Sequence, residues 1–98
     1  MSNWPEKMEW HDGVRMQFDY DDYIMSVVQF TGSYGHKAKL WEVAFMDRAT
    51  QDFVTPPINI LEEDMFKDKF SGDVGIYGHV NDPQVDALHI AMEKLNAN

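Results

Sequence analysis

Apolar and polar side chains alternate over residues 14–18 (VRMQF). A period of two predicts a β-strand with one face toward water. Residues 6–10 (EKMEW) are predicted to form a short partner strand, because the intervening His-Asp-Gly contains an Asp-Gly pair that favours a tight turn. The pattern therefore predicts a hairpin near the start of the chain.

Three further stretches have the character of strands. Residues 23–30 (YIMSVVQF) are apolar on both faces and predict a central strand, whereas residues 39–46 (KLWEVAFM) place their largest side chains on one face. A flexible loop, TGSYGHK, is predicted between these two strands. Residues 53–55 (FVT), which Pro56-Pro57 ends, and residues 74–80 (VGIYGHV) can extend the sheet.

Two helices are predicted in the second half of the chain. Asn59 as N-cap and Glu62 three residues later resemble a capping box, which predicts a short helix near residues 60–70. The second helix is predicted over residues 82–96, with Asn81 or Asp82 as its cap and Ile90 pointing away from its apolar side. The apolar side chains expected to bury these helices are Leu61, Met65, Phe66 and Phe70 in the first and Val85, Leu88, Met92 and Leu95 in the second.

These elements predict an α+β fold in one domain, residues 1–98. Its sheet is an antiparallel meander of four to five strands, with the C-terminal amphipathic helix packed on one face and the short helix near residues 60–70. Trp41, Phe45 and Phe53 are expected in the core. Because two strands are apolar on both sides, one helix does not cover the whole sheet, and a homodimer is the arrangement expected to close the second face.

Composition excludes several classes of protein. The 98 residues are 44% hydrophobic, which favours a folded chain, and they include no cysteine, which removes disulfides and thiolate metal sites. No basic leader precedes an apolar run, and no stretch approaches the roughly 20 apolar residues that cross a bilayer. We therefore expect a soluble cytoplasmic protein without a membrane partner.

The charge balance indicates the kind of partner. Eight basic side chains against seventeen carboxylates give a net charge of −9. Nucleic acids and anionic membranes repel such a chain, because their binding begins with positive charge meeting phosphate. A basic protein is the expected partner, and direct binding of nucleic acid is not expected.

The stretch FDYDDY, residues 18–23, raises the possibility of a metal site. An EF-hand that starts at Asp19 fails, because its sixth position is Ile24 and its twelfth is Phe30. The histidines show no metal-binding pair at helical spacing, and neither a hydrolytic motif nor a phosphate-binding loop is present. The sequence predicts a non-enzymatic protein with no cofactor and no metal, and a solvated strand connection remains the simpler interpretation of FDYDDY.

Clustered carboxylates are the remaining candidate site. Phosphates recur every few ångströms along DNA, so a rigid domain with rows of carboxylates can occupy a DNA-binding groove by presenting similar charge. Aromatic rings near the acids and the predicted loops, namely Trp4, Tyr20, Tyr23 and Tyr34, are candidate anchors of a protein interface. The predicted partner-binding residues are Asp19, Tyr20, Asp21, Asp22, Tyr23, Glu62, Glu63, Asp64 and Asp68.

The run KLWEVAFMDRATQDFVTPPI, followed by an acidic helix and VGIYGHVNDPQVDALHIAMEKL, resembles the small accessory proteins of tailed bacteriophages. The resemblance covers residues 34–95 and no functional residue can be transferred through it. It implies a host-takeover protein that binds a host enzyme, as inhibitors of CRISPR nucleases, restriction enzymes and RNA polymerase do, some of them as DNA mimics. The predicted function is an acidic inhibitor on a basic, nucleic-acid-binding surface of a host enzyme; the alternative is a structural or assembly protein that dimerises through its sheet.

Overall fold

The structure, a computed structural model, describes residues 4–31, 33 and 39–96. These residues form five strands, one 3-10 helix and two α-helices. The elements are β1 (Met8–Trp10), β2 (Gly13–Asp19), β3 (Tyr23–Gln29), β4 (Trp41–Asp47), a 3-10 helix (Asn59–Glu62), α1 (Asp64–Lys67), β5 (Ile76–Val80) and α2 (Asp82–Asn96).

The five strands form one antiparallel sheet in the order β1-β2-β3-β4-β5. This confirms the predicted meander and the central position of residues 23–29. The register pairs Met16 with Val27 and Val27 with Val43, so their side chains share one face of the sheet. The predicted flexible loop falls mostly on residues 32 and 34–38, which lie outside the described residues.

Helix α2 covers one face of the sheet, as predicted. Asn81 caps it, because its Oδ1 accepts the Gln84 amide at 2.9 Å and the Gln84 side chain accepts the Asn81 amide at 2.9 Å. The Trp41 indole donates to Asp82 at 2.7 Å and ties the first turn to β4. The core between helices and sheet consists of Met16, Phe18, Tyr20, Met25, Val27, Trp41, Val43, Phe45, Ile58, Leu61, Phe66, Tyr77, Val80, Val85, Leu88 and Met92.

The opposite face of the sheet has no helix packed on it in the described part of the chain. Alternation along β2, β3 and β4 turns toward this side a second set of residues, among which small and polar side chains are frequent. We call it the open face. Its central residues are Arg15, Gln17, Ile24, Ser26, Val28, Glu42, Ala44 and Met46.

The segment before β5 differs from the sequence prediction. In place of one helix over residues 60–70, a 3-10 turn and a single α-helical turn are separated at Glu63, whose backbone is extended. Asn59 is the first residue of the 3-10 helix and not its cap, so the predicted capping box does not form. The 3-10 helix buries Leu61 and α1 buries Phe66, whereas the other two predicted core residues of this segment, Met65 and Phe70, are exposed.

Phe53 also differs from its predicted core position. It forms an isolated antiparallel bridge with Met46 at the end of β4, and its side chain is 52% exposed. The alternation along β4 explains this exposure, because Met46 faces the uncovered side of the sheet. Within the described residues, no helix is both long and apolar enough to span a membrane.

Candidate functional site

In a five-stranded meander, the β2–β3 and β4–β5 connections begin and end at the same end of the sheet. Residues 19–23 and 47–75 form these two connections, and we call them the acidic end. Ten of the seventeen carboxylate side chains lie in these residues, against three of the eight basic ones. Most of the net charge of the chain is therefore carried by two connections that leave and re-enter the sheet at the same end. The last part of the second connection runs beside β5, where Phe70 bridges to Tyr77.

Arg48 holds the two connections together. Its Nε donates to the Tyr20 carbonyl oxygen at 2.9 Å, and its Nη2 donates to Asp19 Oδ1 at the same distance. The Arg48 amide also donates to the carbonyl oxygen of Asp22 at 2.9 Å. These three bonds from one residue fix the backbone of residues 19–22, so the carboxylates of this turn project from a defined scaffold.

Asp47 shapes the neighbouring part of the same end. Its Oδ1 accepts the amides of Ala49 and Thr50 at 2.9 and 3.1 Å, which closes the turn after β4. A shallow cleft of about 420 Å³ lies between this turn and the β2–β3 turn. The cleft is lined by Asp21, Asp22, Tyr23, Asp47, Arg48 and Ala49.

Asp19 is held in its charged form. Hydrogen bonds from the Gln17 amide at 3.0 Å and from Arg48 lower the pKa of this carboxyl below its ordinary value of 3.8. Its side chain is 56% exposed, so solvent screens most of this stabilisation. At neutral pH Asp19 is consequently anionic.

The other four predicted carboxylates, Glu62, Glu63, Asp64 and Asp68, lie on the 3-10 helix and α1 and on the residues that flank α1. All four are exposed, whereas the intervening Phe66 is buried in the core. Lys67 lies 3.9 Å from Asp64, and both side chains are solvated, so this pair neutralises little of the local charge. Burial of Phe66 thus anchors a short segment whose outer surface is anionic.

Tyr20 corrects one sequence prediction. It was expected to be an interface anchor, but its ring is only 6% exposed and belongs to the core. Its hydroxyl lies 2.7 Å from Nδ1 of His89 on α2, which is itself buried. Burial, together with the charges of Glu93 and Asp19, raises the pKa of the Tyr20 hydroxyl well above its ordinary value of 10.0. The pair fastens α2 to the sheet beside the acidic end.

Replacement of Tyr20 by phenylalanine is expected to lower the free energy of unfolding by about 1 to 2 kcal/mol at neutral pH, because His89 Nδ1 loses its buried partner. In the wild type, the raised pKa adds stability that is complete below pH 10 and declines at higher pH, since the unfolded chain then releases a proton that the folded chain retains. The difference between wild type and Tyr20→Phe should therefore shrink above pH 10.

Urea unfolding at neutral pH and above pH 10 measures this difference. Tyr77, whose pKa burial also raises, is common to both proteins and does not alter the comparison. A stability difference that stays constant with pH would contradict the assignment.

The other predicted aromatic anchors have different surroundings. Tyr23 is half-buried and lines the acidic cleft, so it remains a candidate contact residue. Trp4 packs edge-on against Phe18 with ring centroids 6.2 Å apart, and its indole donates to Asp86 at 3.2 Å. These contacts give Trp4 a structural role, and Tyr34 lies outside the described residues.

Two features of this site had only weak signals in the sequence. Arg48 and Asp47 belong to a stretch that predicts only a turn, and their link to residues 19–22 depends on strand order.

Among the described residues, no group of three or more histidines and carboxylates is placed to hold a metal ion. What the acidic end can do chemically is attract and orient a cationic surface.

Comparison with protein-family models, with curated protein sequences and with solved structures found no significant match. Geometry and charge therefore carry the functional assignment.

Proposed function

We propose that this protein is a non-enzymatic, acidic binding protein whose acidic end occupies a basic, nucleic-acid-binding surface of another protein. The observation that supports it most is the concentration of ten carboxylates in the two connections at one end of the sheet. Charges spread evenly over a domain provide solubility, whereas charges gathered on one side attract a partner in a defined orientation.

Rigidity of the acidic end supports the same proposal. A mimic of the phosphate backbone must hold its charges apart without collapsing onto its own basic residues. Arg48 contributes to this requirement, because it pairs with Asp19 while its other bonds fix backbone carbonyls of the same turn. The exposed carboxylates of Glu62, Glu63, Asp64 and Asp68 extend the charge along the β4–β5 connection.

The resemblance to bacteriophage accessory proteins gives the proposal its most specific form. In that form the protein acts in the host cytoplasm as an inhibitor of a host nucleic-acid enzyme, and it competes with DNA for the enzyme's binding groove. The alternative function, a structural or assembly protein that forms a homodimer through the sheet, uses a different surface and needs a separate test.

The proposal is tested by capture from a bacterial lysate that has been cleared of nucleic acid, with the protein immobilised through a tag. We expect a retained nucleic-acid-binding protein that duplex DNA displaces from the resin and that raised salt also elutes. Retained proteins that neither DNA nor salt releases would contradict the proposal. A complete lack of retention from lysates of several bacterial groups would contradict its bacterial form.

A further inference from the structure

The open face carries a cleft that shares one lining residue, Phe53, with the segments of the acidic end. The cleft has a volume of about 350 Å³, and its floor is made by the small side chains of Ser26, Val28 and Ala44. The 52% exposed ring of Phe53 stands with Met46 on one side. An apolar floor beneath an exposed ring indicates a surface that is suited to contact with another molecule.

The other side of the cleft is a row of aromatic rings in contact, edge to face between Trp10 and His11 and tilted between His11 and Phe30. The Trp10 and His11 ring centroids are 5.1 Å apart, and those of His11 and Phe30 are 5.0 Å apart. The guanidinium of Arg15 lies 4.9 Å from the centre of the Trp10 ring. These contacts fix an aromatic wall in place without a partner, so little order needs to be gained when the face is covered.

Two opposite charges lie in one row across this face. The register pairs Arg15 with Val28 and Val28 with Glu42, so the row runs from β2 through β3 to β4. Neighbouring strands are about 4.8 Å apart, which places the two charged residues about 10 Å from each other on either side of Val28. One positive and one negative residue flank the midline of a face that belongs to a strongly acidic chain.

Arg15 has donors to offer to a second molecule. Its Nε donates to Ser26 Oγ at 3.0 Å and its Nη2 donates to Gln17 Oε1 at 3.1 Å. A guanidinium has five N–H groups, so three are not used by these two bonds. The same bonds hold the side chain flat on the sheet and orient it.

We infer that the open face binds the open face of a second copy of this chain, about a twofold axis that runs parallel to β3. Rotation about this axis exchanges the β2 side of the sheet with the β4 side. Arg15 of each copy then faces Glu42 of the other, and Val28, which is 7% exposed at the floor of the cleft, lies beside the axis. Two sheets that pack face to face with nearly aligned strands form a common arrangement.

The charge pattern of the open face favours a second copy. Each copy carries a net charge of −9, so the attraction has to be local, and Arg15 opposite Glu42 supplies two such pairs in the dimer. The row from Arg15 to Glu42 is self-complementary only when the same face is presented twice, since an isologous contact meets each residue with its symmetric counterpart. The inference does not depend on the proposed function, because Arg15 and Glu42 lie outside the acidic end.

Analytical ultracentrifugation of the full chain across a wide concentration range tests the inference. The wild type is expected to associate reversibly to twice the 11.4 kDa monomer mass, also in high salt. Arg15→Glu alone and Glu42→Arg alone are each expected to raise the dissociation constant by about tenfold or more, because each places like charges opposite one another. An equimolar mixture of these two variants should dimerise again, since both interchain pairs then have opposite charges.

The mixture separates the inference from an effect within one chain. If Arg15 and Glu42 acted only within their own copy, the double variant Arg15→Glu/Glu42→Arg would recover and the mixture would not; that result would overturn the inference. Wild-type protein that stays monomeric at its highest soluble concentration would also overturn the inference. A different protein would then be the candidate partner of the open face.

Exposed phenylalanines provide a matched control. Phe53→Asp, on the open face, should abolish association, whereas Phe70→Asp should not, although Phe70 is similarly exposed at 49%. Circular dichroism verifies that each variant is folded before it is compared. Equal loss of association in both variants would contradict the assignment of the interface.

Discussion

Gly75→Ala is expected to lower the free energy of unfolding by about 3 kcal/mol or more, a large part of the stability of a domain this size. Gly75 has a φ of 76°, which side chains rarely adopt. An added Cβ would overlap the Val54 carbonyl oxygen and would lie 3.0 Å from that of Phe45. Both oxygens belong to the backbone, and the carbonyl oxygen of Gly75 accepts the Phe45 amide at 2.9 Å. A shift of either oxygen would strain this backbone pairing.

Two other glycines separate the causes of this loss. Gly72 has a φ of 99° but open space around an added Cβ, so Gly72→Ala should cost only the conformational term, about 1 to 2 kcal/mol. Gly13 has no positive φ, but an added Cβ would overlap the Gln29 carbonyl oxygen. We expect urea unfolding to rank Gly72→Ala as the least damaging of the three, because it adds no steric overlap. A Gly75→Ala protein as stable as Gly72→Ala would contradict the close packing of residue 54 against residue 75.

Much of the fold was predictable because local signals and tertiary structure agree. The turn within His-Asp-Gly, which the structure places at residues 11–12, the two-sided apolar run at residues 23–29 and the capped helix at residues 82–96 each specify an element without distant information. The exposure of Ile90 followed from helical spacing in the same way, and the structure confirms it at 45%.

The remaining features depend on which elements meet in space. Tyr20 lies among three aspartates in sequence, which predicts exposure, yet its ring turns inward because His89 of α2 is placed above it. Phe53 begins a short apolar run after a turn, and this pattern predicts a strand with Phe53 in the core. Its bridge to Met46 instead puts it on the uncovered face of the sheet. Neither contact has a local signature in the sequence. The two acidic clusters were predictable as residues, but their common end follows only from the strand order.

Reversal of two charges at the acidic end is the second large effect that we expect. Asp21→Lys combined with Asp22→Lys should weaken binding of the captured partner by about tenfold or more at low ionic strength. The dependence of affinity on salt should also decrease, because fewer opposite charges remain across the contact. Isothermal titration calorimetry at two salt concentrations measures both quantities.

Glu6→Lys combined with Glu9→Lys is the matched control. Both residues are exposed and belong to the β1 segment, outside the two connections of the acidic end, and the change in net charge is the same. This control should bind nearly as well as the wild type. Equal weakening by both double variants would show that overall charge, and not its position, determines the affinity.

The most direct measurement is an NMR titration of the isotope-labelled wild-type protein with a short lysine-rich peptide at low salt. Amide shifts are expected to concentrate at residues 19–23, 47–52 and 62–68, and to leave the carboxylates outside the acidic end, such as Glu9 and Asp82, nearly unchanged. Shifts of equal size at carboxylates all over the molecule would contradict a binding surface at the acidic end.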